Sequence, residues 1–91
     1  METGIEFVNR VNVHATNRKE LGTTYIVDLG DGFTLKSFWD KSSKLWIVFI
    51  TDANDYQVGN AEYAPNKSKL GWAQDWIVRD WVDRGRPAST D

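Results

Sequence analysis

The stretch TTYIVDLGDGFTLKSFWD, residues 23–40, decides the fold. Two segments rich in β-branched and aromatic residues are joined there by Gly30-Asp31-Gly32, whose glycines supply the positive φ angles of a tight hairpin. Residues 23–29 go out as one strand and residues 33–40 return as the next. Turn chemistry then recurs at near-regular intervals, as Lys41-Ser42-Ser43-Lys44 and as Asp52-Ala53-Asn54-Asp55. Between these turns the six residues 45–50, Leu-Trp-Ile-Val-Phe-Ile, are apolar at every position, the pattern of a central strand covered on both faces. A fourth segment follows from Tyr56, where Tyr56 and Val58 share one parity and Ala61 and Tyr63 the other; a bulge at Gly59-Asn60 reconciles them. Residues 23–64 therefore read as an antiparallel β-meander of about four strands.

Downstream, residues 66–84 read as an α-helix. Asn66 can cap its start, Gly85 can end it in the left-handed region, and Pro87 prevents its resumption. Gly71 is a flaw of about 1 kcal/mol relative to alanine. At about 100° per residue, Leu70, Ala73, Ile77, Val78 and Trp81 form one broad stripe, the face expected on the sheet. Trp72 and Trp76, four apart, are neighbours on a different side together with Arg79 and Asp83. The expected class is thus α+β, a meander packed against one C-terminal helix.

Residues 1–22 are harder to read. Ile5, Phe7, Val11 and Val13 fit strand alternation, whereas Thr3 and Glu6 have the spacing of a helical capping box. The β-branched residues and two asparagines favour a strand over 5–13, a fifth strand pairing at the edge of the meander or with another subunit. Residues 17–22 then read as a polar connection, and the tail 86–91 is expected to fray.

A chain of 91 residues with 41% hydrophobic and 26% charged content is expected to form one domain, 1–91. A chain this short buries a modest share of its surface, so a homodimer is a natural way to supply the remainder. Eleven basic against thirteen acidic side chains, net charge -2, do not make the footprint of a general nucleic-acid binder. The absence of cysteine excludes disulfides, thiolate metal sites and a cysteine nucleophile. No leader pattern or apolar run of membrane-spanning length is present, so a cytoplasmic protein is expected.

The residues singled out for contact are Trp72, Trp76, Arg79 and Asp83, because exposed tryptophans mark surfaces that grip a partner or a second copy. The bland alternative folds Trp76 over the sheet edge and Trp72 over a loop. Asp31, Asp52 and Asp55 are turn formers that also offer acidic loops to a basic partner. Lys36, Lys41, Lys44, Lys67 and Lys69 form the alternative set, a nucleic-acid or phosphate patch extended by the helix N-terminus. The single histidine, His14, has no evident catalytic partner, and no triad spacing is present. The acidic run 52–55 lacks a calcium loop and the turn 30–32 lacks a phosphate-binding loop. No enzyme activity, cofactor or metal is expected.

With Trp46 and Tyr63 flanking the turn, a small meander followed by one helix is similar in outline to the arm-binding domain of phage-type integrases and to plant AP2-like domains. The resemblance spans residues 23–82, is topological, and implies a sheet that reads DNA. The basic strands needed for that are missing here, so no functional residue is carried over. In general character an acidic, cysteine-free domain of this size also resembles the inhibitors and adaptors that phages and mobile elements encode, anti-CRISPR proteins among them. That resemblance implies a protein that works by occupying a partner's surface.

Overall fold

A computed structural model describes residues 1–13, 19–21 and 24–88. Its elements are α1 (Gly4–Val11), β1 (Lys19–Leu21), β2 (Thr24–Gly30), β3 (Phe33–Asp40), β4 (Leu45–Thr51), β5 (Gln57–Ala64) and α2 (Lys67–Asp83). The strands form one antiparallel sheet in chain order, β1-β2-β3-β4-β5. The α+β class and the four-strand meander thus stand, with a short additional strand at the β2 edge. That strand comes from residues expected to be connection, while the expected N-terminal strand over 5–13 is a helix.

Capping explains why α1 forms. Thr3 Oγ1 accepts from the Glu6 N–H (3.2 Å) and the Glu6 carboxylate accepts from the Thr3 N–H (3.0 Å), a complete capping box. At the other end Asn12 takes φ 56° and donates its N–H to the Val8 carbonyl, a conformation asparagine tolerates better than most residues. Beside Gly4, the buried residues are Phe7 and Val8, with Val11 packed against them, while Ile5 is exposed. This i, i+1, i+4 pattern is helical, and packing on α2 overrides the β-branched propensity.

Trp46, Val48 and Ile50 of β4, Leu35 of β3 and Tyr25 and Val27 of β2 point to one side of the sheet and are buried. They form one core with Leu70, Ala73, Ile77, Val78, Trp81 and Val82 of α2 and with Phe7, Val8 and Val13. The expected stripe of α2 is therefore the buried one. Trp81, 4% exposed, meets the Phe7 ring edge-on at 6.1 Å and the Phe33 ring at 4.9 Å. Gln74 and Ser37 are buried polar residues on facing elements, and Gln74 Nε2 donates to Ser37 Oγ at 3.0 Å.

Helix α2 runs unbroken through Gly71. Asn66 Oδ1 accepts from the Lys69 N–H at its start. At its end Gly85, φ 88°, donates to the Val82 carbonyl and Arg86 donates to the Trp81 carbonyl, a Schellman motif. The tail does not fray at once. The Pro87 carbonyl accepts from Trp81 Nε1, and Arg86 bonds Glu2 and stacks on the Phe7 ring. These contacts form because the motif turns the chain back towards α1.

In β5 the register shifts at the expected place, but the irregularity does not bring Val58 and Tyr63 onto one face: residues 59–61 lie opposite Phe49 alone, so Val58 and Ala64 both face the core while Tyr63 stays exposed on the other side. Val58 pairs with Ile50 and Glu62 with Val48, so the register shifts between them, and Gly59 takes φ 70°. Strand β4 is central, but only one of its faces is covered. Leu45, Ile47 and Phe49 point away from α2 and remain half-exposed, because α2 packs on one side of the sheet and α1 packs on α2. No helix among the described residues is long and apolar enough to cross a membrane.

Candidate functional site

Two surfaces stand out, on opposite sides of the molecule. The first is on α2. Trp72 and Trp76 are 65% and 47% exposed, so Trp72 stands mostly in water while Trp76 is about half covered. Their helical spacing makes them adjacent on one ridge. Trp76 also walls a groove of about 230 Å³ between α2 and β5, floored by Ile50, Val58 and Ile77 and edged by Asn60 and Glu62. Along the flanks, Asp75 faces Arg79 at 3.6 Å and Asp80 faces Arg84 at 3.0 Å, so the distal half of the helix is charge-balanced.

Of the residues expected beside the tryptophans in water, Asp83 is exposed and Arg79 half-buried, and both also meet α1. The Asp83 carboxylate accepts from the Gly4 N–H at 2.7 Å, placing negative charge at the positive end of a helix. Gly4 lies so close to the Arg79 backbone that an added Cβ would stand 2.5 Å from its carbonyl oxygen. Beside the two tryptophans, Asp83 thus holds α1 through its carboxylate, while Arg79 meets α1 through its backbone and pairs with Asp75 through its side chain.

The charged candidates separate to the two ends of the sheet. Asp31 lies in the β2–β3 turn and Asp52 and Asp55 in the β4–β5 turn, and these turns touch, since a Cβ at Gly32 would meet the Ala53 Cβ at 2.7 Å. Asp52 Oδ1 accepts from the Asn54 and Tyr56 N–H groups, so its carboxylate builds its own turn. Lys41 and Lys44 lie in the β3–β4 turn at the opposite end, towards which Lys67 and Lys69 begin α2. Lys36 does not join them; it is mid-strand and ion-paired with Asp55. Lys67 sits over the Tyr25 ring at 5.3 Å. The helix N-terminus proposed for phosphate already has Asn66 as its cap.

In the carboxylates with shifted acidity the causes are local. Glu2 is held below the ordinary carboxylate range by its hydrogen bonds and charge interactions with Arg10, then Arg86. Glu6 is lowered by the hydrogen bonds from Thr3. Asp40 is lowered by Ser43 and Ser42, which bond its oxygens in the β3–β4 turn. All three are structural caps and clasps. Among the described residues no group of three or more His, Asp or Glu side chains could hold a metal ion, and His14 lies outside the described residues.

The second surface is the sheet face turned away from α2. The register sets Ile26 beside Lys36, Lys36 beside Phe49, Phe38 beside Ile47 and Ile47 beside Tyr63. All are half-exposed except Tyr63, which is exposed, and the Phe38 and Phe49 rings meet edge-on at 6.0 Å. None of these apolar residues was among the expected contact residues. Their signal was the uninterrupted apolar run at 45–50, which predicts covering on both faces, whereas the monomer covers one. No protein-family model, curated protein or solved structure matches this chain.

Proposed function

We propose that this chain is a protein-binding module without catalytic activity of its own, which acts by occupying a partner's surface with Trp72 and Trp76. In kind it is inhibitor- or adaptor-like, of the sort that phages and mobile elements encode. The observation that supports this is the pairing of two exposed tryptophans on a helix held from beneath by the sheet and at its distal end by α1. Rigid aromatic anchors lose little conformational entropy on binding and recur at hot spots.

The magnitudes suit that role. With about 250 Å² for a tryptophan side chain, the exposed fractions leave about 280 Å² in water, worth up to about 7 kcal/mol gross on burial at about 25 cal/mol/Å². Association costs consume much of this, yet the surplus would be felt in any complex.

The test is affinity capture from the native host with the wild-type chain and a Trp72→Ala/Trp76→Ala variant side by side. A protein retained by the first and lost by the second supports the reading. A partner held equally by both defeats it. The same preparations should fail to shift a mixed-sequence DNA or RNA probe at low salt; a shift that disappears steeply with salt would instead favour nucleic acid.

A further inference from the structure

We propose that the sheet face opposite α2 is the interface with a second copy of this chain, packed face to face with its strands antiparallel to the first. This surface is distinct from the tryptophan ridge, so either proposal can fail while the other stands. Strand β4 carries apolar side chains on both sides, but the monomer buries only Trp46, Val48 and Ile50, leaving Leu45, Ile47 and Phe49 half in water. Flanking strands add Ile26, Phe38 and Tyr63 to that same side. A half-solvated antiparallel sheet normally alternates apolar with polar residues; β4 does not, while on the same side β2 and β3 mix Ile26 and Phe38 with Thr24, Asp28, Thr34, Lys36 and Asp40.

Area supports a second copy as the occupant. Four strands about 4.8 Å apart and about seven residues long at about 3.3 Å each make a plane of about 440 Å². Side-chain relief raises the accessible area above that figure. Two such faces approach the lower end of specific interfaces, about 1,200 Å² in total. A dimer with a dissociation constant on the order of micromolar or weaker is expected.

Charge selects the orientation. Asp31 and Asp52 lie at one end of the sheet, and at the other Lys41 and Lys44 outnumber the single carboxylate of Asp40. A two-fold axis in the interface plane and perpendicular to the strands lays the acidic end of one copy over the basic end of its mate. An axis parallel to the strands would stack like on like. Closed two-fold association needs one self-complementary patch, and only the first axis makes this one complementary.

Sedimentation velocity over a concentration series tests this on wild type, Ile47→Lys, Lys41→Asp/Lys44→Asp and Trp72→Ala/Trp76→Ala. The expected results are a dimer in wild type and in the tryptophan variant, and dissociation at least roughly tenfold stronger in Ile47→Lys. Added salt and the lysine variant should each weaken the dimer. A strictly monomeric wild type at the highest concentration overturns the proposal, as does a dimer untouched by Ile47→Lys or lost in the tryptophan variant. If Ile47→Lys does not fold, single-cysteine variants decide, because the chain has no other thiol. Maleimide labelling at Phe49→Cys should slow as protein concentration rises while labelling at Trp72→Cys does not; equal behaviour at both positions overturns it.

Discussion

The Asp83 carboxylate accepts a 2.7 Å hydrogen bond from the Gly4 N–H, tying together residues 79 positions apart. With it, the absent side chain of Gly4 lets α1 seat on the Arg79 backbone. Gly4→Ala is therefore expected to destabilise the protein by about 1–3 kcal/mol despite alanine's better helix propensity, because backbone must move to admit the Cβ. Urea unfolding measures this, and a stabilised variant would show that the close approach does not matter.

Tryptophans on the two sides of α2 should behave oppositely. Trp81→Ala removes a side chain that is 4% exposed and touches Phe7 and Phe33, and is expected to cost about 3–5 kcal/mol. Trp72→Ala should stay within about 0.5 kcal/mol of wild type. Thermal melts of the two variants, read beside partner capture, distinguish an anchor from a core residue.

Ser37 and Gln74 form a buried polar pair across the sheet–helix interface. Ser37→Ala alone should cost about 1–3 kcal/mol by taking a partner from a buried amide. Combining it with Gln74→Met should cost less than the sum of the single changes, since the second substitution removes the unsatisfied group. A double-mutant cycle by denaturant titration measures the coupling, and strict additivity would mean that the pair does not interact.

Acid should loosen the N-terminal helix before the sheet. Glu2, held by Arg10 and Arg86, and Glu6, held by Thr3, both have pKa values lowered below the ordinary carboxylate range in the folded state. A lowered folded-state value contributes stability that is present above the ordinary carboxylate range and is lost as pH falls through the folded value. Hydrogen exchange of the α1 amides should therefore quicken as pH falls below about 4.5, after correction for intrinsic exchange rates. Glu2→Gln should flatten that dependence.

Much of the fold was legible in the residues, for reasons that differ by element. The Gly30-Asp31-Gly32 turn, the all-apolar run at 45–50 and the Asn66 and Gly85 caps each act locally, so each announces its element. The stripe of α2 followed from helical period alone. For residues 5–13 two local signals conflicted, and the winner was the capping box, reinforced by an α1–α2 contact that no local pattern reveals. The same contact gives Asp83 a partner, the Gly4 N–H, that lies too far away in sequence for any local pattern to reveal. Trp72 and Trp76 were legible as outliers from the stripe. The uncovered sheet face was present in the pattern as an excess of apolar residues, but which layer was missing is a tertiary fact.

Chain-ordered strands also shape the folding kinetics. Every pairing from β2 to β5 joins strands adjacent in sequence, so the sheet assembles through short loop closures, and α2 follows β5 directly. Beyond the docking of α2 across β3 and β4, the longest closure among the described residues brings α1 from residues 4–11 to the end of α2. Low contact order favours rapid folding of the sheet and α2, with α1 docking after the main barrier. Substitutions at Gly4 or Phe7 should then speed unfolding while leaving the folding rate nearly unchanged, so that α1 acts as a clasp on the native state's lifetime.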